Sequence, residues 1–471
     1  MSKMYRLAID VGTTNIKFNI FENYKIKESL EMRVDTYYGD LGKVYQSPER
    51  ILQQIKRGIK NLTQKGYEIE EVIFSTAMHS IMPIFEEPRE EELLIWSDRQ
   101  AKDFVKTFKQ EEKALEFYKK TGTPIHEMSP LMKIAHFKNK GWFSDVKEWI
   151  GLKEYLVEAF TGKKVVDYST ASATGLFNIH TKKWDEEILD FAGITQDQLA
   201  KLVDTDVYYP ITKKQAEAVF LSEEVKVYVG ASDGCLASYA CYLANGTVNT
   251  LTVGTSGAVR KLTKEIELDN EGQTFCYYLT KGYWVVGGAS NNGGQVLEWA
   301  NKMFYSDKTI YKELDHIIKE APIGSNGIQF LPYITGERAP LWDGDIEGSF
   351  SGLTLANKKE DLLRSIIEGV FFNLRLIGDL VSLEPRDVSV SGGLFEEPIL
   401  TTLAADIFGK NCIQSHYSEP NFGSICLIEK PTSYILSEHK RVFFNEENHK
   451  LYNKSYARFA KTVKTELSTK K

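Results

Sequence analysis

The stretch Leu7-Ala8-Ile9-Asp10-Val11-Gly12-Thr13-Thr14-Asn15-Ile16-Lys17-Phe18 occurs, in outline, twice in this chain. Apolar residues run up to Asp10, a small polar turn follows, and apolar alternation resumes at Ile16, Phe18 and Ile20. That is the pattern of a β-hairpin tipped by Gly-Thr-Thr. Roughly half a chain later, Asn249-Thr250-Leu251-Thr252-Val253-Gly254-Thr255-Ser256-Gly257-Ala258-Val259 repeats the strand, the Val-Gly-Thr-Ser turn and the returning strand. A hairpin repeated at this distance points to a duplicated unit. Each tip suits an anion: Gly12 and Gly254 let backbone approach closely, and the hydroxyls of Thr13, Thr14, Thr255 and Ser256 join successive amides around phosphate oxygens. Lys17 adds positive charge past the first turn, and Asp10 can reach a phosphate-bound Mg²⁺ through water. The same residues also describe an ordinary hairpin with a polar tip, so one hairpin alone decides nothing.

At 471 residues the chain exceeds one ordinary domain, and the second hairpin sets the expected division at 1–245 and 246–471. Hydrophobic residues at 42% and charged residues at 26% predict a folded globular protein rather than a disordered one. The net charge of −7, spread without long single-sign runs, argues against a nucleic-acid surface. No apolar run has the length of a membrane span and the N-terminus enters a strand directly, so the expected setting is cytoplasmic, without a membrane partner. Cys235, Cys241, Cys276, Cys412 and Cys426 form no C-x-x-C pair and read as small buried hydrophobes in a reducing compartment. The histidines show no H-E-x-x-H spacing, which argues against a structural zinc site.

Along the chain, Ile51, Ile55, Ile59 and Leu62 predict a helix over Pro48–Gly66. Glu71–Thr76 reads as a strand running into Met78-His79-Ser80. His79 therefore sits either as an edge histidine or where ligands of α/β sheets collect. A second strand, Glu92–Trp96, delivers Ser97-Asp98-Arg99-Gln100 to a similar place. Asp167–Gly175 is small and hydroxyl-rich, suited to close packing or to lining a polar pocket. Val225–Gly234 is a strand ending in a tight turn, where Asp233 is either a helix cap or a carboxylate that takes a proton from an attacking hydroxyl. Trp284–Gly294 ends in a Gly-rich turn opening a helix from Gln295, and no G-x-x-x-x-G-K-[ST] run is present, which excludes a P-loop. Gly336–Asp343 reads as a charged loop, a long helix follows from about Asp361 to Val381, and Asp387–Ser391 leads into Gly392-Gly393. Tyr452, Tyr456, Phe459 and Val463 predict a final helix packed on the body before a basic tail.

The paired hairpins resemble those of the actin, hexokinase and Hsp70 superfamily. That resemblance implies an α/β fold of two ribonuclease H-like domains with an interdomain catalytic cleft. More specific are Gly348-Ser349-Phe350-Ser351-Gly352-Leu353, then Asp361-Leu362, then Ser365-Ile366-Ile367-Glu368, together with Gly336-Glu337-Arg338-Ala339-Pro340-Leu341-Trp342-Asp343. Through these the chain resembles the FGGY carbohydrate kinases over nearly its whole length. Met78-His79-Ser80, Thr121–His126, Gly151–Tyr155, Val166–Ser169 and Ala173–Gly175 are similar to the gluconokinase branch of that family.

The resemblance implies ATP and Mg²⁺ as cofactors, a small sugar acid as substrate, phosphorylation of the terminal hydroxyl of D-gluconate, and often a homodimer. It implies Asp233 as catalytic base, and Asp10 as the carboxylate near the metal and the transferred phosphoryl group. Gly12, Thr13 and Thr14 match the first phosphate loop, with Lys17 expected beside it, Gly254, Thr255 and Ser256 match the second, and Gly294 and Gly393 match glycines beside the nucleotide. Met78 and His79 match the substrate side, Trp96 and Arg99 are further candidates there, and Lys153 is expected as partner for a sugar carboxylate. Four positions depart from the family pattern: His136 stands for Trp, Gln100 for Arg (with Arg99 one step early), Glu347 for Arg and Glu397 for Ser. The first two bear on substrate contacts, the last two on the nucleotide side. The alternatives are the same chemistry on xylulose, ribulose or a related polyol, and a non-catalytic ATP-binding switch.

Overall fold

In the computed structural model, which describes residues 4–306, 309–415, 419–435 and 439–469, both hairpins form. Lys470 and Lys471, the end of the expected basic tail, lie outside the described residues. The chain divides into two compact units. The first comprises Met1–Leu243, Thr263–Val285 and Tyr417–Tyr434, and the second Ala244–Leu262, Val286–His416 and Ile435–Lys471.

The first unit is built on β1 (Tyr5–Val11), β2 (Asn15–Glu22) and β3 (Lys25–Arg33), an antiparallel meander. Helix α1 (Pro48–Thr63) follows, and then β4 (Ile69–Thr76) pairs parallel with β1. Pro48 opens α1 behind Ser47, whose Oγ accepts from Arg50 N at 3.4 Å. The helix seats Ile51, Ile55, Ile59 and Leu62 in the core that contains Leu7, Ile9 and Phe18. Each such side chain contributes about 1.5–3 kcal/mol by burial. After α2 (Leu152–Thr161) and α3 (Tyr168–Ser172), β5 (Tyr208–Pro210) and β6 (Lys226–Ser232) complete a sheet of order β5-β6-β4-β1-β2-β3.

Strand β6 runs parallel to β4, with its register slipping between Tyr228 and Ala231. Gly230 makes the slip possible. Its φ is +75°, and a Cβ there would lie 1.9 Å from Phe74 O, so no other residue fits. Val11, Thr76 and Ser232 end the three parallel-paired strands at one edge of the sheet, and Asp233 opens α4 (Asp233–Asn245) directly beyond it. Sites in open α/β sheets sit at this carboxyl edge.

The second unit repeats the plan with β7 (Asn249–Val253), β8 (Gly257–Thr263), β9 (Tyr283–Ser290, in this unit from Val286), α5 (Gly294–Phe304), α6 (Lys359–Leu380), β10 (Asp387–Ser391), α7 (Pro398–Phe408), β11 (Asn411–Ser415), β12 (His439–Val442) and α8 (Glu446–Thr469). These strands run in the order β9-β8-β7-β10-β11-β12, and Phe275–Thr280 adds a seventh strand outside β9. The hairpin partner of β7 is antiparallel, its other neighbour β10 is parallel, β11 is parallel to β10, and β12 is antiparallel to β11. These senses match those of β1, β2, β4, β6 and β5 in turn. The duplication predicted from two turns therefore extends to six strands in matching order, with Phe275–Thr280 an addition to the second sheet. Helix α8 buries Tyr452, Tyr456, Phe459 and Val463. The strand expected over Glu92–Trp96 shortens to Leu93–Leu94, because Asp98 turns the chain by accepting from Val44 N at 3.0 Å. No helix among the described residues is long and apolar enough to cross a membrane.

Candidate active site

At the carboxyl edge of the first sheet, ladder registers set Asp10 opposite Lys17 on β2 and opposite Ser75 on β4. Ser75 Oγ donates to Asp10 Oδ1 at 2.7 Å. Ser75 escaped the sequence reading, although its place at the end of the strand parallel to β1 was the available signal. Burial, reinforced by the charge of Asp233, pushes the Asp10 carboxyl up to about 7. The two carboxylates thus share one electrostatic neighbourhood. Asp233 is half-buried at the first residue of α4, and its Oδ1 accepts from Gly234 N at 2.7 Å. Lys17 Nζ lies 2.9 Å from Glu419 Oε2, a half-exposed pair. At the turn between β1 and β2, Gly12 and Thr13 are half-buried and Thr14 is exposed.

The raised Asp10 has a measurable consequence. A folded-state value near 7 against 3.8 unfolded means that the folded chain binds the extra proton between those limits. Stability is therefore lost as pH rises from about 4 to 7, by about 4 kcal/mol at most. Asp10→Asn keeps an acceptor for Ser75 and removes the charge. In metal- and nucleotide-free protein its melting temperature is expected to exceed wild type by several degrees at pH 8 and by much less at pH 5. Equal shifts at both pH values would contradict the assignment.

On the expected substrate side, His79 is buried with a left-handed φ of +66°, unusual for a side chain of its size. Its Nδ1 lies 2.7 Å from Ala173 O and therefore donates to it, and its ring meets that of Tyr277 edge-on. Met78 and Trp96 are half-buried and Arg99 is exposed. Arg99 Nε lies 3.7 Å from Glu127 Oε1, and Glu127 in turn is 3.2 Å from His126 Nε2.

Lys153 requires a correction. The sequence reading made it a partner for a substrate carboxylate, but the side chain is wholly buried. Its Nζ donates to Phe74 O at 2.9 Å, Val229 O at 2.7 Å and Ala231 O at 3.1 Å, which uses all three ammonium hydrogens. It has none left for a ligand.

In the second unit, Gly294 N donates to Gly254 O at 2.7 Å and Gln295 N to Thr255 O at 3.1 Å. The N-terminus of α5 is thereby fused to the second hairpin tip. A Cβ on Gly293 would meet Ser256 C at 2.5 Å, and one on Gly294 would meet Gly254 O at 2.8 Å, so the approach demands glycine at both places. Gly254 and Gly393 face open space. The loop Gly336–Asp343 is anchored by Glu337, which is fully buried and accepts from Ser290 Oγ, Asn291 N, Arg338 N, Asn292 Nδ2 and Asn373 Nδ2 at 2.6–3.2 Å. Glu347 is exposed, and Glu397 precedes α7.

The other two departing positions, Gln100 and His136, line one groove of about 1000 Å³ in the first unit, with Arg99, Phe104, Trp142 and Phe191. Asp10, Met78, His79 and Asp233 do not line it.

Comparison with known proteins agrees with this geometry. Residues 5–240 match the N-terminal domain of the FGGY family of carbohydrate kinases, and residues 249–422 its C-terminal domain. A gluconokinase of Bacillus subtilis (strain 168) is 36% identical over 445 residues, 90% of this chain and 86% of the relative. A xylulose kinase of Lactococcus lactis subsp. lactis (strain IL1403) is 28% identical over 444 residues, 90% of this chain and 87% of the relative. Among solved structures, a gluconate kinase from Lactobacillus acidophilus has a TM-score of 0.93 at 30% identity, covering 98% of both chains. A ligand-bound xylulose kinase from the same organism gives the same values.

Proposed function

Since this chain belongs to the FGGY family of carbohydrate kinases, phosphotransferases that use ATP, we propose that its acceptor is D-gluconate and its products 6-phospho-D-gluconate and ADP. The observation that carries the substrate choice is the greater identity to the gluconokinase than to the xylulose kinase over the same span.

In this reading Asp233 accepts the proton of the attacking terminal hydroxyl as phosphoryl transfer passes through a loose, in-line transition state. Its partial exposure at the sheet edge beside Asp10 supports that role. Gly12, Thr13, Thr14 and Lys17 hold phosphate oxygens on one unit. Gly254, Thr255 and Ser256, with Gly294 and Gly393, hold the nucleotide on the other. Met78, His79, Trp96 and Arg99 hold the sugar acid. With Lys153 committed to carbonyls, Arg99 and His79 are the groups proposed for its carboxylate.

A Mg²⁺ ion fits the residues present. Asp10 is a buried carboxyl held partly protonated by burial and by Asp233, which a nearby cation would reverse. Mg²⁺ usually takes one or two carboxylates alongside nucleotide phosphates, and among the described residues no cluster of three or more metal-ligating side chains offers a self-sufficient cage. Asp10 would hold the ion, which would neutralise charge on the phosphates. The reading also includes a cytoplasmic location and a homodimer, the latter open to light scattering.

The test is sugar-dependent ADP release with MgATP across gluconate, xylulose, ribulose, glycerol and a blank. Gluconate is expected to lead in kcat/KM by on the order of 10²-fold. A ketopentose preference would overturn the substrate and leave Asp233 in place. ATP binding without any sugar-stimulated turnover would favour a switch.

A further inference from the structure

We propose that the buried Lys153–Asp167 pair positions the phosphoryl-transfer site, holding Asp233 through the bulge of β6 and through α3, and His79 through the end of α3. The inference rests on the reading of Asp233 as base.

Lys153 lies in the first turn of α2, behind Gly151, and its stem reaches the sheet. The register slip at Gly230 takes β6 out of step with β4 three residues before Asp233. Carbonyls on both sides of that slip, Val229 and Ala231, turn to the ammonium, as does Phe74 O from the neighbouring strand. One cation therefore fixes both flanks of the bulge and ties it to β4. A bulge re-aims the chain that follows it, and here the chain that follows is Ser232-Asp233.

The partner carboxylate extends the brace. Lys153 Nζ is 3.5 Å from Asp167 Oδ2, and both side chains are wholly buried. Asp167 accepts from Thr170 N and Thr170 Oγ1, each at 2.8 Å, and so caps α3. That short helix touches the site at both ends. Ser169 Oγ lies 2.9 Å from Ser232 Oγ and accepts from Ser232 N at 3.3 Å, one residue before Asp233. Past the other end, Ala173 O receives the Nδ1 hydrogen of His79, the residue held at positive φ. The candidate base and the candidate sugar-side histidine thus answer to one buried ion pair. A buried pair with no such duty is often replaceable by apolar side chains without loss.

Three full-chain variants separate the possibilities: Lys153→Met, Ser169→Ala and Asp233→Asn. The readouts are kcat, ATP dissociation constant without sugar, and melting temperature. Lys153→Met is expected to lower kcat by about 10²-fold with ATP affinity within about threefold of wild type, a split that general unfolding would not produce. Ser169→Ala removes only the two contacts to Ser232, and is expected to lower kcat by about fivefold at unchanged ATP affinity, with a melting temperature lower by a few degrees. If Lys153→Met does not fold, Ser169→Ala decides: a kcat loss at unchanged ATP affinity supports the brace, and wild-type kcat overturns it. An inactive Asp233→Asn beside fully active Lys153→Met and Ser169→Ala overturns the brace and leaves the base standing. An active Asp233→Asn removes the base reading itself, and the brace with it.

Discussion

Asp233→Asn is expected to lower kcat for sugar phosphorylation by roughly 10²–10⁴-fold while ATP binding stays near wild type. Asparagine fills the same space, and its Oδ1 still accepts from Gly234 N, so the start of α4 should be undisturbed. What it lacks is basicity. It also lacks the negative charge that helps push Asp10 up to about 7. Removing that charge lets Asp10 ionise at lower pH, so affinity for MgATP should hold or tighten, the opposite of what a damaged pocket would give. The measurement is single-turnover phosphorylation beside calorimetric ATP binding. A variant retaining roughly a tenth or more of wild-type kcat would exceed what loss of a general base allows.

The hairpins were legible because strand alternation and a small-residue turn are local properties, written within a dozen residues. The strand order itself is not written in the two turns; it emerges from the long-range pairing of β1 with β4 and of β7 with β10. The placement of Asp10 and Asp233 at one sheet edge was legible for a related reason: each stands at the end of an apolar run, and ends of parallel-paired strands share one edge. Lys153 was misread because no local pattern tells a buried lysine from a ligand-facing one. Its role depends on three carbonyls exposed by a slip at Gly230, far away in sequence. Asp98 was likewise drawn towards the substrate by its neighbours Trp96 and Arg99, yet it is fully buried and accepts from Val44 N. Burial and backbone demand decided both positions, and neither is visible in composition or spacing.

Glu337 sits in a stretch that reads as a charged loop, and it is wholly buried instead. Its carboxylate gathers Ser290 Oγ at 2.6 Å, Asn291 N at 2.7 Å, Arg338 N and Asn373 Nδ2 at 2.8 Å, and Asn292 Nδ2 at 3.2 Å. Three of these donors belong to Ser290-Asn291-Asn292, the residues leading into Gly293-Gly294 and the fused tip of the second hairpin. Glu337→Leu keeps much of the volume, admits little water, and takes the carboxylate acceptor from Asn291 N and Arg338 N, while Ser290 Oγ, Asn292 Nδ2 and Asn373 Nδ2 keep a second contact at 3.5, 2.7 and 3.2 Å. Orphaned buried donors cost about 1–3 kcal/mol each, partly relieved by rearrangement, so a loss of about 3 kcal/mol is expected. Denaturant unfolding measures it, and a variant within about 1 kcal/mol of wild type would show that these contacts are not needed. ATP affinity should fall alongside, roughly tenfold, because Gly294 N meets Gly254 O only if the preceding loop is held. Gluconate affinity should change far less, since the residues proposed to hold the sugar belong to the other unit.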